Sequence, residues 1–254
     1  MTTAVAQRRP GVVRRVAHVM GMPISLALRG RAAGTFEGEA AWAETMATLR
    51  DVDRVFSPFR TDSVISRLDR GEIDLMDAPP EVAEVLGLAE QARIESHGAF
   101  DVRRHGRLDP CGIVKGWAVD RAARPLRHLG DTDFCLSAGG DLVAYVAADD
   151  RPAWRIGIED PHELARVVAT VPVRDGAVAT SGLARRGAHL TDPRTGSTPT
   201  ALASVTVIAE DLTTADVDAT AAFVLASVGE HWLQSRGRSA VVVHRDGRVA
   251  EVRR

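Results

Sequence analysis

The sequence predicts an α+β fold in which mixed, largely antiparallel β layers are packed with helices. Its 254 residues, 45% hydrophobic and 26% charged, have an ordinary globular composition, and a domain of this length buries roughly 70–75% of its unfolded surface. Strand-like and helix-like segments interleave irregularly, which favours α+β over a regular doubly wound sheet. No repeat, low-complexity linker or shift in composition marks a boundary. We therefore expect a mobile tail over residues 1–11 and a single domain over residues 12–254.

Segments rich in β-branched residues and bounded by turn-forming residues are typical of strands. Residues 12–20 and 24–29 form the first predicted pair, separated by Gly21 and Pro23. The remaining predicted strands cover residues 99–102, 134–146 with a Gly-Gly interruption, 154–158, 167–173, 178–180, 204–209 and 240–244. Turns are predicted at residues 160–161, 175–176 and 246–247, and the strand over 240–244 is expected to be the last.

Helices are predicted where apolar residues recur every three or four positions. The clearest case covers residues 39–56, and a second long helix begins at Pro80, which suits a first helical turn, and ends near residue 96. Further helices are predicted over residues 62–68, 112–129 with a break near Pro125, and 213–227. Either Thr213 or Thr214 can cap the last of these helices.

Charge and cysteine content exclude several classes of protein. A formal net charge of −2 and a pI of about 6.5 argue against a protein that grips nucleic acid, which needs a basic surface. No uninterrupted apolar run approaches the ~20 residues of a membrane-spanning helix. Cys111 and Cys135 are too few for a disulfide framework, which favours a reducing compartment. Residues 16–28 follow several arginines, but polar and turn-forming residues interrupt the stretch, so we predict a cytoplasmic protein with no signal peptide or lipobox cysteine.

Two glycine-containing segments suggest a site for an anionic ligand. In residues 108–120 a loop with Asp109 leads into a helix start that carries Lys115, the only lysine of the chain. Free N–H groups, the helix dipole and an ammonium group together suit a phosphate or diphosphate, although a solvated lysine at an ordinary helix start is the alternative. The pair Gly139-Gly140, followed by Asp141, allows either close approach of a ligand or a simple bulge.

Two further segments carry side chains suited to catalysis. His189 precedes the predicted tight turn over residues 192–196 and could act as a base, since the unperturbed pKa of histidine is near 6.5. A half-buried, hydrogen-bonded histidine is the alternative. Asp216 and Thr220 are four residues apart on the predicted helix, so their oxygens face the same side and could share a hard cation such as Mg²⁺. Helix capping is the alternative for the acidic residue.

Taken together and in this order, these segments resemble the ApbE family, the FAD:protein FMN transferases. Further similarity is found at Met20-Gly21 and in residues 56–59, 62–66 and 98–101. The resemblance runs from about Met20 to Gly229 and implies a fold related to the T-fold. It also implies an enzyme that binds FAD and Mg²⁺ and transfers the FMN moiety to a Ser or Thr hydroxyl of an acceptor protein with a flavinylation motif, releasing AMP.

The resemblance assigns roles to individual residues. Asp216, Thr220 and the backbone carbonyl of Gly112 match metal ligands, and His189 matches the base that deprotonates the acceptor hydroxyl. The positions that match FAD contacts are Met20, Phe59, Ala99, Phe100, Asp101, Asp109, Lys115 and Thr191. Neither nucleic acid nor a membrane span is expected among the partners.

Some positions depart from the family pattern. A long insertion is usual between the Gly-x-Phe-Asp segment and the lysine segment, but here only residues 102–107 separate them. Val64 stands where an acidic residue is common, and Asp218 stands at a usually apolar position where it could alter the metal site. Two alternatives therefore stay open beside the transferase: an FAD pyrophosphatase that gives FMN and AMP, and a non-catalytic FAD-binding protein.

Overall fold

The strands of the protein are short and numerous. The computed structural model describes residues 11–104, 106–183 and 190–253. In these ranges the strands are β1 Val13–Val19, β2 Met22–Gly30, β3 Arg103–Arg104, β4 Arg107–Leu108, β5 Thr132–Ala138, β6 Asp141–Tyr145, β7 Trp154–Glu159, β8 Val167–Val173, β9 Asp175–Gly182, β10 Leu202–Ala209, β11 Ser239–His244 and β12 Val249–Val252.

Eight of these strands form one sheet in the order β1-β2-β5-β6-β9-β10-β11-β12. Every neighbouring pair in this sheet is antiparallel. The strands β3 and β4 form a small hairpin of their own, and β7 and β8 form another. The predicted α+β class with antiparallel layers is therefore confirmed.

The helices alternate irregularly with the strands. They are α1 Phe36–Phe56, α2 Val64–Asp69, α3 Pro80–Glu95, α4 Cys111–Ala122, α5 Arg124–Arg127, α6 Leu212–Leu225 and α7 Gly229–Ser235. Thr35 caps α1 through a hydrogen bond from the Gly38 N–H, which starts the helix one turn earlier than the periodicity predicts. The predicted break near Pro125 is confirmed as the boundary between α4 and α5.

Several local predictions are wrong. Asp211 caps α6 by accepting a hydrogen bond from the Thr214 N–H at 2.7 Å, so neither Thr213 nor Thr214 is the cap. Residues 99–102 form no strand, and residues 175–176 open β9 instead of making a turn. The chain also continues past the predicted last strand, because β12 pairs with β11 after the turn at residues 246–247. The short helix α7 was not predicted at all, since its seven residues are too few to show a period.

Helix α6 lies at the centre of the packing, between the sheet and α4. It contacts β9 and β10 on one side and α4 on the other, and most of its residues are buried, Phe223 completely. The helical stretch Leu212–Ser235 is apolar and long enough to cross a membrane by length and composition alone. However, 61% of its most apolar window is buried within the protein, as expected of a core helix.

Helix α4 approaches the start of α6 at backbone distance. A Cβ atom on Gly116 would lie 2.6 Å from the Leu212 carbonyl oxygen and 2.8 Å from the Thr213 Cα. One turn further along α4, the Asp120 carboxylate accepts hydrogen bonds from the Leu212 N–H at 2.9 Å and the Thr213 N–H at 2.8 Å. A larger side chain at residue 116 would therefore separate α4 from α6 and break the hydrogen bonds by which Asp120 caps the start of α6.

We predict that Gly116→Ala destabilises the protein by about 1–3 kcal/mol, because the added methyl group meets backbone that cannot yield locally. Gly87 in α3 is a matched control, since no atom lies within 4 Å of a Cβ built there. Gly87→Ala should stabilise the protein by about 0.5–1 kcal/mol through the higher helix propensity of alanine. Urea unfolding of both variants measures the difference, and equal free energies of unfolding would contradict the close helix contact.

Candidate active site

One cavity of about 580 Å³ brings together the residues that the sequence singled out. It is lined by the β1–β2 turn, the end of α1, and parts of α4, β9 and α6. Every predicted FAD or metal position lines this cavity, namely Met20, Phe59, Ala99, Phe100, Asp101, Asp109, Gly112, Lys115, Thr191, Asp216 and Thr220. The predicted base, His189, lies outside the described residues. The cavity volume falls within the roughly 300–1,000 Å³ typical of small-molecule sites.

A buried cluster of three charges forms the polar part of the cavity. The Lys115 ammonium contacts the Asp141 carboxylate and lies 3.1 Å from Asp216 Oδ1. Both carboxylate side chains are 5% exposed, and the lysine side chain is 16% exposed. Buried charges at these distances are stable only when they are paired, so removal of Lys115 would leave two buried carboxylates with no compensating charge.

The pKa of Lys115 reflects two opposing effects. Burial lowers the pKa, but the negative charges of Asp216 and Asp141 outweigh burial and hold the pKa above its ordinary value. Lys115 is therefore an ammonium ion at neutral pH. It can neutralise negative charge in the cavity without taking up a proton.

Asp141 lines the cavity, although its sequence segment did not predict it as a site residue. Its Oδ1 accepts a hydrogen bond from the Thr180 N–H of β9 at 2.8 Å, which fixes the carboxylate to the sheet. The preceding Gly139-Gly140 is the two-residue turn of the β5–β6 hairpin, with φ angles of 61° and 109°. Those angles favour glycine, so the pair is explained by the turn, and Gly139 also lines the cavity. The signal that could have identified Asp141 is its position directly after such a turn.

Hydroxyl groups lie beside the charged cluster. Thr220 Oγ1 on α6 is 2.9 Å from Ser181 Oγ on β9, and Thr180 Oγ1 is 2.9 Å from Thr206 Oγ1 on β10. Ser181 and Thr220 both line the cavity. Ser181 therefore fixes the orientation of the predicted metal ligand Thr220, because a hydroxyl group held by a hydrogen bond has fewer rotamers available.

Asp218 does not reach the cavity. Residues two apart on a helix do not face the same side, and the Asp218 carboxylate points away from Asp216 toward Arg238 at 2.6 Å and Arg236 at 3.2 Å. Asp218 is 1% exposed and fully engaged in this pairing. Asp218 is therefore not a ligand in this cavity, and an effect of its charge on the metal site stays a prediction.

Apolar side chains line one part of the cavity mouth. Met20 and Gly21 form the β1–β2 turn with φ angles of 54° and 68°. Such a conformation costs a non-glycine residue about 1–2 kcal/mol, and strain of this kind is often kept at ligand sites. Phe59 is 90% exposed at the mouth, whereas Phe100 is buried below Gly112. These side chains offer flat apolar surface to a ring system.

A short hairpin and a tight turn form another part of the rim. The Arg104 guanidinium, in the hairpin of β3 and β4, donates a hydrogen bond to Thr191 Oγ1 at 3.2 Å. Thr191 leads into the predicted turn, which is confirmed by the hydrogen bond from the Gly196 N–H to the Asp192 carbonyl at 2.8 Å. The side chains of Asp192 and Arg194 pair with each other within the turn at 2.8 Å.

The predicted metal ligands are all oxygen donors. Among the described residues no group of three or more His, Cys, Asp or Glu could hold a metal ion, so any metal here must also use neutral oxygens. The Asp216 carboxylate, the Thr220 hydroxyl and the Gly112 carbonyl form such a set around one cavity. Oxygen ligands suit a hard cation such as Mg²⁺. The ammonium group beside Asp216 shows that this position already binds positive charge, so the residues fit the metal.

The curated proteins that are similar to this chain in sequence share one name. The FAD:protein FMN transferase of Klebsiella pneumoniae is 29% identical over 264 residues, covering 74% of this chain and 75% of that protein. The FAD:protein FMN transferase of Rhodobacter capsulatus is 35% identical over 164 residues, covering 57% of this chain and 31% of its own. The chain thus matches about a third of the length of the Rhodobacter relative, and the match to the Haemophilus influenzae relative covers 37% of that protein.

Comparison with solved structures identifies the fold. The chain superposes on the ApbE protein of Thermotoga maritima with a TM-score of 0.83 at 21% identity, covering 95% of this chain and 97% of that one. The apo form of the Pseudomonas stutzeri flavinyl transferase ApbE gives a TM-score of 0.83 at 23% identity, with 98% and 96% covered.

The sequence model of one family matches the chain in two segments, residues 20–105 and 102–243. The two segments overlap at residues 102–105, which include β3. Together the two segments cover most of the chain and include every predicted site residue. The protein belongs to the ApbE family.

Proposed function

We propose that this protein transfers the FMN moiety of FAD to a Ser or Thr hydroxyl of an acceptor protein, with Mg²⁺ as the metal and AMP as the second product. The observation that carries the proposal is one cavity in which the apolar side chains of its mouth lie beside the buried cluster of Lys115, Asp141 and Asp216. Such a cavity suits a ligand with a flat ring at one end and a diphosphate further along. The curated relatives that carry the name FAD:protein FMN transferase support the same reaction.

Substrate binding follows from the two parts of the cavity. Met20, Phe59 and Phe100 would contact the isoalloxazine ring, because apolar contact and ring stacking are the main attractions available to it. Lys115 would bind the diphosphate, since a permanent ammonium in a largely buried position attracts anionic oxygens more strongly than one in water. The first turn of α4, which contains Gly112, would add the positive end of its helix dipole to the same part of the cavity.

The transfer exchanges one P–O bond for another. The acceptor hydroxyl oxygen forms a bond to the phosphorus of the FMN half, and the bond from this phosphorus to the bridging oxygen breaks, so that AMP leaves with that oxygen. The AMP phosphate needs no proton at neutral pH, and a general acid is therefore unnecessary. The hydroxyl proton must pass to a base, and His189 remains our prediction for that role.

Charge neutralisation is the main task of the remaining residues. Lys115 compensates the negative charge on the diphosphate, and Asp141 holds the ammonium in place from the side of the sheet. Asp216, Thr220 and the Gly112 carbonyl would hold Mg²⁺, which when bound supplies further positive charge to the phosphoryl oxygens. Ser181 keeps the Thr220 hydroxyl oriented.

The decisive experiment incubates the purified protein with FAD and Mg²⁺, with and without an acceptor domain that carries a flavinylation motif. We expect FMN covalently bound to the acceptor, detected by mass spectrometry, with one AMP released per modified acceptor. Free FMN at full rate without acceptor would identify an FAD pyrophosphatase. FAD that stays intact in both reactions would identify a non-catalytic FAD-binding protein.

We predict that Lys115→Arg lowers kcat/KM for FAD by roughly tenfold or more, although it preserves charge, because a broad planar guanidinium does not replace a compact ammonium between two buried carboxylates. Arg121→Lys is the control, since Arg121 lies on the same helix but stacks on Trp117 at 4.6 Å. This control should leave the kinetics unchanged. AMP release measures both variants, and unchanged kcat/KM for Lys115→Arg would remove Lys115 from the site.

We predict that Asp216→Asn reduces the rate of AMP release by roughly 100-fold or more, since the change removes the only carboxylate of the proposed metal site. Asp218→Asn on the same helix should retain turnover. It should instead lower the free energy of unfolding by about 3 kcal/mol, because it breaks buried pairs with Arg236 and Arg238. Loss of turnover in both variants with equal loss of stability would show that Asp216 has only a structural role.

A further inference from the structure

Lys115 and the proposed metal compete for the same carboxylate. Asp216 Oδ1 is 3.1 Å from the Lys115 ammonium, and the proposed function requires Asp216 to ligate a divalent cation. Two cations at such short distances repel each other, and the repulsion is stronger in a largely buried site than in water. The ammonium must therefore weaken or leave its contact with Asp216 when a metal binds there.

Asp141 determines where the ammonium can go. The side chain that carries this carboxylate is 5% exposed, and the Thr180 N–H donates a hydrogen bond to it at 2.8 Å. Asp141 also follows directly after the two-residue turn of the β5–β6 hairpin, which leaves its backbone little freedom. Asp141 is therefore a rigid anchor, whereas Lys115 reaches it on a flexible four-carbon chain.

We propose that Lys115 is the resident cation of Asp216, and that Asp141, acting through Lys115 as a positioning residue, sets the affinity of Asp216 for a divalent cation. This inference rests on the proposed function for the role of Asp216 as a metal ligand. The three groups carry a net charge of −1, so a metal can bind only if the ammonium turns toward Asp141 or toward an incoming anion.

The same arrangement couples metal binding to FAD binding. The diphosphate of FAD attracts the ammonium away from Asp216 and so makes the carboxylate available to the metal. By linkage, the metal raises the affinity for FAD by the same factor as FAD raises the affinity for the metal. Loading of the site is thus cooperative, and a bare metal binds weakly.

The test is a titration of the full chain with Mn²⁺ in the absence of FAD, in which the EPR signal of free Mn²⁺ measures how much of the ion is bound. Lys115→Met removes the competing cation and should tighten Mn²⁺ binding by about tenfold or more, because two carboxylates then face each other with no compensating charge. Asp141→Asn removes one anion and leaves the ammonium entirely to Asp216, so it should weaken Mn²⁺ binding by about fivefold or more. The two changes act in opposite directions.

Two controls distinguish the specific pairing of Lys115 with Asp141 and Asp216 from the general effect of charge in and around the cavity. Arg104→Met removes another cavity cation, one that is hydrogen-bonded to Thr191, and should change Mn²⁺ affinity by less than about twofold. Asp218→Asn removes a carboxylate of α6 that faces Arg236 and Arg238, and should also have little effect. Tightening by Arg104→Met equal to that by Lys115→Met would overturn the proposal.

A second measurement examines the coupling directly. Quenching of flavin fluorescence gives the affinity for FAD with and without Mn²⁺. The factor by which Mn²⁺ raises this affinity should be at least about fivefold smaller in Lys115→Met than in the unmodified protein. If Lys115→Met does not fold, as judged from its thermal unfolding midpoint, Asp141→Asn alone decides: unchanged or tighter Mn²⁺ binding overturns the inference.

The outcomes remain distinct from those of the proposed function. If the unmodified protein turns over FAD but Lys115→Met and Asp141→Asn leave the Mn²⁺ affinity unaltered, the inference about Lys115 and Asp141 is rejected and the proposed enzymatic function is kept. If the two variants change the Mn²⁺ affinity in the expected directions but the unmodified protein does not turn over FAD, the inference is kept and the proposed enzymatic function is rejected.

Discussion

The close contact between α4 and α6 is the constraint on which the site depends. Gly116 lets the backbone at Leu212 and Thr213 approach α4, and Asp120 then caps the start of α6 from the neighbouring helix. Because the axes are this close, Lys115 on one helix can contact Asp216 on the other. The sheet completes the arrangement, since β9 holds Asp141 through the Thr180 N–H.

The charged cluster of Lys115, Asp141 and Asp216 contributes little to the stability of the fold. Buried ion pairs seldom stabilise more than well-packed apolar residues of similar size, because desolvation offsets the attraction between the charges. Here two carboxylates share a single ammonium, which leaves a surplus of negative charge inside the cavity. Such an arrangement is understandable when a cation and an anionic ligand complete it. The strained turn at Met20 and the exposed ring of Phe59 are further local costs that fit a binding role.

Much of the fold could be predicted from local patterns. The β-branched segments, the spacing of apolar residues in α1 and the proline boundaries of α3 and α5 identify elements correctly, because neighbouring residues decide them. The predictions fail where distant contacts decide. Residues 99–102 are extended by composition but have no strand partner, whereas β12 exists because β11 is available beside it. Of the two acids on α6, only packing determines which one faces the cavity and which one pairs with Arg236 and Arg238.

The sequence by itself determined the family, the order of the site segments and the identity of the residues around the cavity. These follow from residue types at fixed spacings, which a linear chain already displays. Only the tertiary structure decided that Lys115 lies between Asp141 and Asp216, and that Asp218 points away from them. The physical reason is that these side chains belong to a helix, a hairpin and a second helix far apart along the chain. Their distances are set by packing between elements and leave no trace in any single segment.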